Sequence, residues 1–152
     1  MKKALFASIV LGLALPVLAQ SSGSVVTGGV QIAKTDGQGE NMSFGASEIS
    51  RKNKETMCWA VQTTPNQVGK MMTTTEVYKL PAKGVFRSSD NSSITSSADK
   101  KTWIITETQE VRDESVLMKC WTMGKEDPKG LYTLTVTVNG EEQAPVTFKV
   151  VD

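Results

Sequence analysis

Between Tyr132 and Val138 the chain reads Tyr-Thr-Leu-Thr-Val-Thr-Val, so every second residue is apolar or aromatic and the ones between are threonine. Neighbouring side chains of a strand point to opposite faces of a sheet, so a strict period of two buries one face and wets the other. A helix would scatter the same apolar groups around its circumference. Asn139-Gly140 follows at once, a pair that accepts the positive φ angles of a tight hairpin turn. Beyond it Val146, Phe148 and Val150 alternate with Thr147 and Lys149. A lone two-stranded hairpin is marginal in water, so the rest of the chain must add strands to cover its apolar face.

It does so in short pieces. Stretches with β-type composition or alternation occur at 29–34, 43–49, 55–62, 74–80, 102–108, 115–123, 132–139 and 145–151, separated by polar turns. A helical period of 3.6 holds nowhere for long. Asp127-Pro128-Lys129-Gly130 is a turn in which proline and glycine pre-set the backbone angles. Seven or eight short strands with regular turn signals predict an all-β chain folded as an antiparallel β-sandwich, with a small β-barrel as the alternative closure. The closing segment, Asp127-Pro128-Lys129-Gly130-Leu131-Tyr132-Thr133-Leu134-Thr135-Val136 with Asn139-Gly140, resembles the final hairpin of bacterial immunoglobulin-like domains. The resemblance covers about the last 25 residues and implies a fold class, an immunoglobulin-like sandwich, without implying an activity. The antibody pattern itself is not followed: no tryptophan lies a dozen residues past Cys58, and no tyrosine stands two before Cys120.

The N-terminus speaks to compartment. Lys2 and Lys3 precede an uncharged, largely apolar run from Ala4 through Leu15; Pro16 breaks it and Val17-Leu18-Ala19 follows. A charged start, a short apolar middle and a small-residue exit mark a secretory signal, with cleavage expected between Ala19 and Gln20. The run is shorter than the roughly 20 residues a membrane-spanning helix needs. The expected organisation is a signal peptide at 1–19, a flexible Ser/Gly-rich leader at 20–28 and one β-sandwich domain at 29–152, periplasmic or secreted. The whole chain carries 17 basic and 16 acidic side chains; without Lys2 and Lys3 the balance is −1. A near-neutral chain lacks the cationic surface that nucleic acid or an anionic membrane attracts.

Two cysteines, Cys58 and Cys120, are expected to pair in an oxidising compartment. The chain has no histidine, which removes His-dependent serine triads, Cys–His dyads and imidazole zinc sites. Each cysteine is followed by tryptophan, in Met57-Cys58-Trp59 and Lys119-Cys120-Trp121. If the two cysteines meet on one face, Trp59 and Trp121 both point away from it. Strands in different sheets would put the disulfide in the core and the tryptophans outside. Antiparallel neighbours in one sheet would put both tryptophans on a shared face. In that second arrangement the tryptophan face is the core and the disulfide staples the outer face, since two exposed indoles would forgo several kcal/mol of burial. The sharper possibility is an exposed binding platform of Trp59, Trp121, Met57 and Met123 for an apolar peptide or glycan.

Other chemistry is thin. Glu107, Glu110, Asp113 and Glu114 cluster around a turn, where a carboxylate pair could serve glycoside hydrolysis but a solvated hairpin tip is the simpler account. The polar stretch 88–101 is expected to be a mobile loop, with Asp90, Asn91 and Asp99 as candidate recognition residues; calcium-loop spacing is absent. Met71-Met72, Met118 and Met123 lack a spaced copper-binding motif and are read as packing residues. No cofactor is called for. These features suggest a non-catalytic module that binds another exported or cell-envelope protein through loops or a sheet edge, as inhibitors and immunity proteins do. A structural subunit of a surface assembly and a carboxylate hydrolase are the alternatives.

Overall fold

The computed structural model describes residues 23–88 and 91–152; the expected signal peptide, the first three residues of the leader and Asp90 lie outside them. The described chain forms two sheets and contains no α-helix, only a 3-10 turn at Pro65–Gln67. The strands are β1 (Gln31–Thr35), β2 (Met42–Phe44), β3 (Glu48–Ser50), β4 (Thr56–Gln62), β5 (Met71–Lys79) and β6 (Ser93–Ser96). They continue with β7 (Thr102–Glu110), β8 (Val116–Thr122), β9 (Gly130–Val138), β10 (Glu141–Glu142) and β11 (Val146–Val151). The smaller sheet has the order β2-β1-β4-β8. The larger runs β3-β11-β9-β5-β7-β6, with β10 paired to the end of β9. All pairings are antiparallel except β3 with β11. This is a β-sandwich, as the alternation predicts.

The C-terminal hairpin shows how the sequence sets register. Asn139 and Gly140 sit at φ 47° and 84°, the pair of positive angles a two-residue turn requires. Val138 faces Glu141, yet Leu134 faces Val146, so the returning strand holds one extra residue. That bulge falls at 143–145, where Pro145 has no N–H to give the ladder. At the other end the Tyr132 hydroxyl donates to the Pro128 carbonyl at 2.9 Å, fastening the turn that enters β9. Gly130 closes this corner with φ 133°, and a Cβ there would stand 2.9 Å from two carbons of the Pro81 ring. Replacing Gly130 by alanine is therefore expected to cost about 2 kcal/mol or more. A thermal melt that moves by less than a degree would show that the corner can relax.

Three expectations needed correction. The stretch 43–49 is not one strand: β2 joins the small sheet and β3 the large one, with Gly45 turning between them at φ 73°. The polar segment 88–101 is not wholly loop, because β6 pairs with β7 and Ile94 packs against the core. The leader is not free along its whole length. Val26 is buried, bridges Thr63 and donates its amide N–H to the Ser24 hydroxyl oxygen at 3.2 Å.

The core lies between the sheets. Tyr78, Trp103, Ile105, Leu134, Val136 and Phe148 from the large sheet face Ile32, Met57, Trp59, Val61, Leu117 and Trp121 from the small one. Phe86, in the long β5–β6 connection, adds its ring at 4.6–5.7 Å from the rings of Tyr78, Trp103 and Trp121.

The two outer faces differ in how their apolar groups are spread. On the large sheet threonine is the commonest outward residue, with Thr137, Thr75 and Thr106 in one cross-strand row and Thr73 facing Thr108, while Met71, Ile104 and Leu131 stand exposed among them. On the small sheet the outward positions are mostly apolar. Phe44, Ala33, Cys58 and Cys120 make one row, and Gln31, Ala60 and Met118 the next.

Candidate functional site

The Cys–Trp motifs are resolved by register. Strands β4 and β8 are antiparallel neighbours in which Cys58 stands directly opposite Cys120, with Cα atoms 4.0 Å apart, and the two are joined by a disulfide. Of the two arrangements the sequence allowed, this is the same-sheet one. The bond sits on the outer face, where Cys58 is buried beneath its neighbours and Cys120 is exposed. Trp59 and Trp121 consequently point inward, and Met57 and Met123 are buried with them. The exposed platform of these four residues is not formed, because each is worth more against the opposing sheet than in water.

The tryptophans meet a group the sequence reading overlooked. Glu76, at the middle of β5, is fully buried between the sheets. Its Oε2 accepts from the Tyr78 hydroxyl at 2.7 Å and from Trp121 Nε1 at 2.8 Å. Its Oε1 and the buried Nε1 of Trp59 find no hydrogen-bond partner among the described residues. Burial pushes the Glu76 carboxyl above its ordinary value, against the lowering effect of the donors Tyr78 and Trp121, while Glu107 nearby raises it further. The Tyr78 hydroxyl is pushed up in turn, by burial first and then by Glu76. A signal was present: Met72, Thr74, Glu76 and Tyr78 share one face of the β5 alternation, so an inward Tyr78 implies an inward Glu76.

The carboxylate cluster divides. Glu107 faces inward from β7 and bonds Lys119 Nζ at 2.6 Å and the Ser92 hydroxyl at 3.1 Å. Glu110, three residues on, projects from the opposite face of the same strand, so these two carboxylates do not confront each other across one site. Glu110, Asp113 and Glu114 are exposed, and no ion pair involves them or Arg112 among the described residues. The proposed recognition residues also separate. Asn91 precedes β6 and Asp99 follows it, so they lie at opposite ends of a strand rather than on one loop. Asp99 instead shapes the β6–β7 turn, accepting from the Ser97 hydroxyl at 2.6 Å and the Lys101 amide at 3.1 Å, which hold its carboxyl below the ordinary value. Asp90 lies outside the described residues.

What the fold does bring together is apolar and lies on the outside of the small sheet. Phe44 is 58% exposed and Met42 40%. Phe44 and Val116 line two hollows in common. One, of about 260 Å³, is completed by Gly28, Gly29, Gln31 and Ala60. The other, of about 280 Å³, is completed by Met42, Met118 and the side chains of Glu110, Arg112 and Glu114. Small residues make this relief possible: Ala33, Cys58 and Ala60 sink below their larger neighbours and leave a floor between Phe44 and the β8 side chains. Sequence reading missed it because its members come from β2, β4 and β8 and meet only across the sheet. The alternation of Met42 and Phe44 around Ser43 was the one local hint.

Comparisons with known proteins agree with this architecture. An immunoglobulin-like protein (PA1606) from Pseudomonas aeruginosa superposes with a TM-score of 0.51 at 14% identity, covering 83% of this chain and 94% of its own. The PmoD soluble domain from Methylocystis sp. gives a TM-score of 0.46 at 15% identity over 84% of this chain and 97% of its own. No curated protein matches the chain. The family described as PM0630 beta sandwich domain matches residues 29–151, and the chain belongs to that family.

Proposed function

We propose that this chain is an exported, non-catalytic binding module that recognises another envelope or secreted protein through the outer face and edge of its small sheet. Export rests on the N-terminal pattern of Lys2, Lys3, an apolar run and Val17-Leu18-Ala19. A cross-strand disulfide suits an oxidising compartment. Among the described residues no helix is long and apolar enough to cross a membrane, and no group of three or more His, Cys, Asp or Glu side chains is placed to hold a metal ion.

One observation carries the reading: on the outer face of the small sheet, exposed apolar side chains flank two hollows. Exposed apolar groups occur on the large sheet too, but Met71, Ile104 and Leu131 stand there in separate cross-strand rows among threonines. The small sheet keeps an exposed phenylalanine and methionine beside two hollows. A contiguous exposed apolar patch invites aggregation unless something covers it. The test is capture from an envelope extract by the immobilised protein, wild type against Phe44→Asp. A discrete, saturable partner that the variant fails to retain is the expected result. Recovery of the same partners by both forms, or of none by either, sinks the assignment to this face.

A further inference from the structure

Resting on that reading, we infer the chemistry of the partner: an extended segment that places an apolar side chain in the hollow between Phe44 and Met118 and a lysine or arginine beside Glu110 and Glu114. The hollow is about 280 Å³, room for one aliphatic or methionine side chain with its flanking backbone, and its apolar walls are Met42, Phe44, Val116 and Met118. Methionine walls adapt to differing apolar shapes, which suits a site that takes a side chain rather than a rigid ligand. Its rim is net negative: Glu110, Glu114 and the cation Arg112 line it, and Asp113 stands beside them in sequence.

These acids carry no counter-charge of their own among the described residues. Some carboxylates elsewhere do: Glu55 with Lys34 at 3.1 Å, Glu107 with Lys119 at 2.6 Å and Asp152 with Lys129 at 2.7 Å. Glu40, Glu48 and Glu142 do not, and what sets the rim acids apart is the apolar hollow they border. Glu110, Asp113 and Glu114 enter no such pair among the described residues, and Arg112 can answer one of them at most. The net negative rim therefore attracts a cation and repels an anion, steering encounter as well as setting orientation. A segment alternating apolar and basic residues matches both halves of the site when extended, because its successive side chains diverge as a strand's do.

The probe is an acetylated, amidated octapeptide alternating leucine and lysine, titrated into 15N-labelled protein and followed by amide chemical shifts. Two control peptides replace lysine by glutamate, or leucine by serine. The expected result is saturable shifts confined to residues 42–44 and 110–118, with both controls weaker by at least about tenfold. Glu110→Gln with Glu114→Gln should weaken the lysine peptide while leaving the unfolding midpoint in place. Equal binding of the lysine and glutamate peptides overturns the inference, as do shifts centred elsewhere. So does self-association through the same residues without peptide, which would make a second copy the occupant. Loss of partner capture by Phe44→Asp together with charge-blind peptide binding would leave the binding module standing and remove only this partner chemistry.

Discussion

Removing the Cys58–Cys120 bond is expected to lower the free energy of unfolding by about 4 kcal/mol, the chain-entropy value for so long a loop. The sequence separation is 62 residues, so the cross-link denies the unfolded chain a large set of conformations. For a domain of this size a loss of that order corresponds to a drop in Tm of roughly 10–20 °C. The bond lies on the outer face, while the indoles of Trp59 and Trp121 lie in the core behind it. Reduction should therefore weaken the fold without rearranging it: the protein in reductant should keep blue-shifted tryptophan emission and lose only denaturant resistance. Exposure of Cys120 gives small reductants direct access. Urea titrations of the oxidised protein, the reduced protein and the Cys58→Ala/Cys120→Ala double variant measure the effect. A shift below about 1 kcal/mol would mean that the β4–β8 ladder alone already orders this region in the unfolded ensemble.

How much of this was legible in advance follows from the range over which each feature is encoded. Period-two alternation is local, so β9 and β11 could be read off neighbouring residues, and β4 and β7 off their β-type composition. The burial of Trp59 and Trp121 belonged to one of two arrangements that paired cysteines allow, and the β4–β8 register decides between them. Strand membership is not local. Nothing in 43–49 says that Phe44 hydrogen-bonds toward one sheet and Ile49 toward the other, and Gly45 reads equally as a bulge within one strand. Strand β6 hid behind serine, whose presence signals a turn unless a neighbour such as β7 supplies a ladder to join. The hollow beside Phe44 was the least visible feature, since its floor and walls are separated by tens of residues and converge only through the β2-β1-β4-β8 order.

Glu76 provides the second large expectation, a fold that is most stable in mild acid. Its carboxyl is fully buried, and burial raises its pKa above the reference value of 4.5. A group that binds its proton more tightly when folded gives its full stabilisation below the unfolded pKa. As pH rises from 4.5 through the raised folded value that contribution is lost, at about 1.4 kcal/mol for each tenfold difference in proton affinity. Asp127, also raised by burial, works in the same direction from its reference of 3.8. Asp36, Asp99 and Asp152 are lowered by hydrogen bonds, so their contributions are present above 3.8 and disappear as pH falls below it. Stability should accordingly peak near pH 4–5 and decline toward pH 8. Glu76→Gln keeps an oxygen for the Tyr78 hydroxyl and Trp121 Nε1 and has no proton to lose. It should flatten the decline and be the more stable form at pH 8. Glu76→Ala strands both donors in the core and should be weaker than wild type at every pH, by about 2–4 kcal/mol. Urea midpoints from pH 4 to pH 8.5 separate the cases. If the glutamine variant keeps the wild-type slope, Asp127 carries it, and Asp127→Asn should then remove it at the cost of the bond its carboxylate accepts from the Gly124 amide at 2.7 Å.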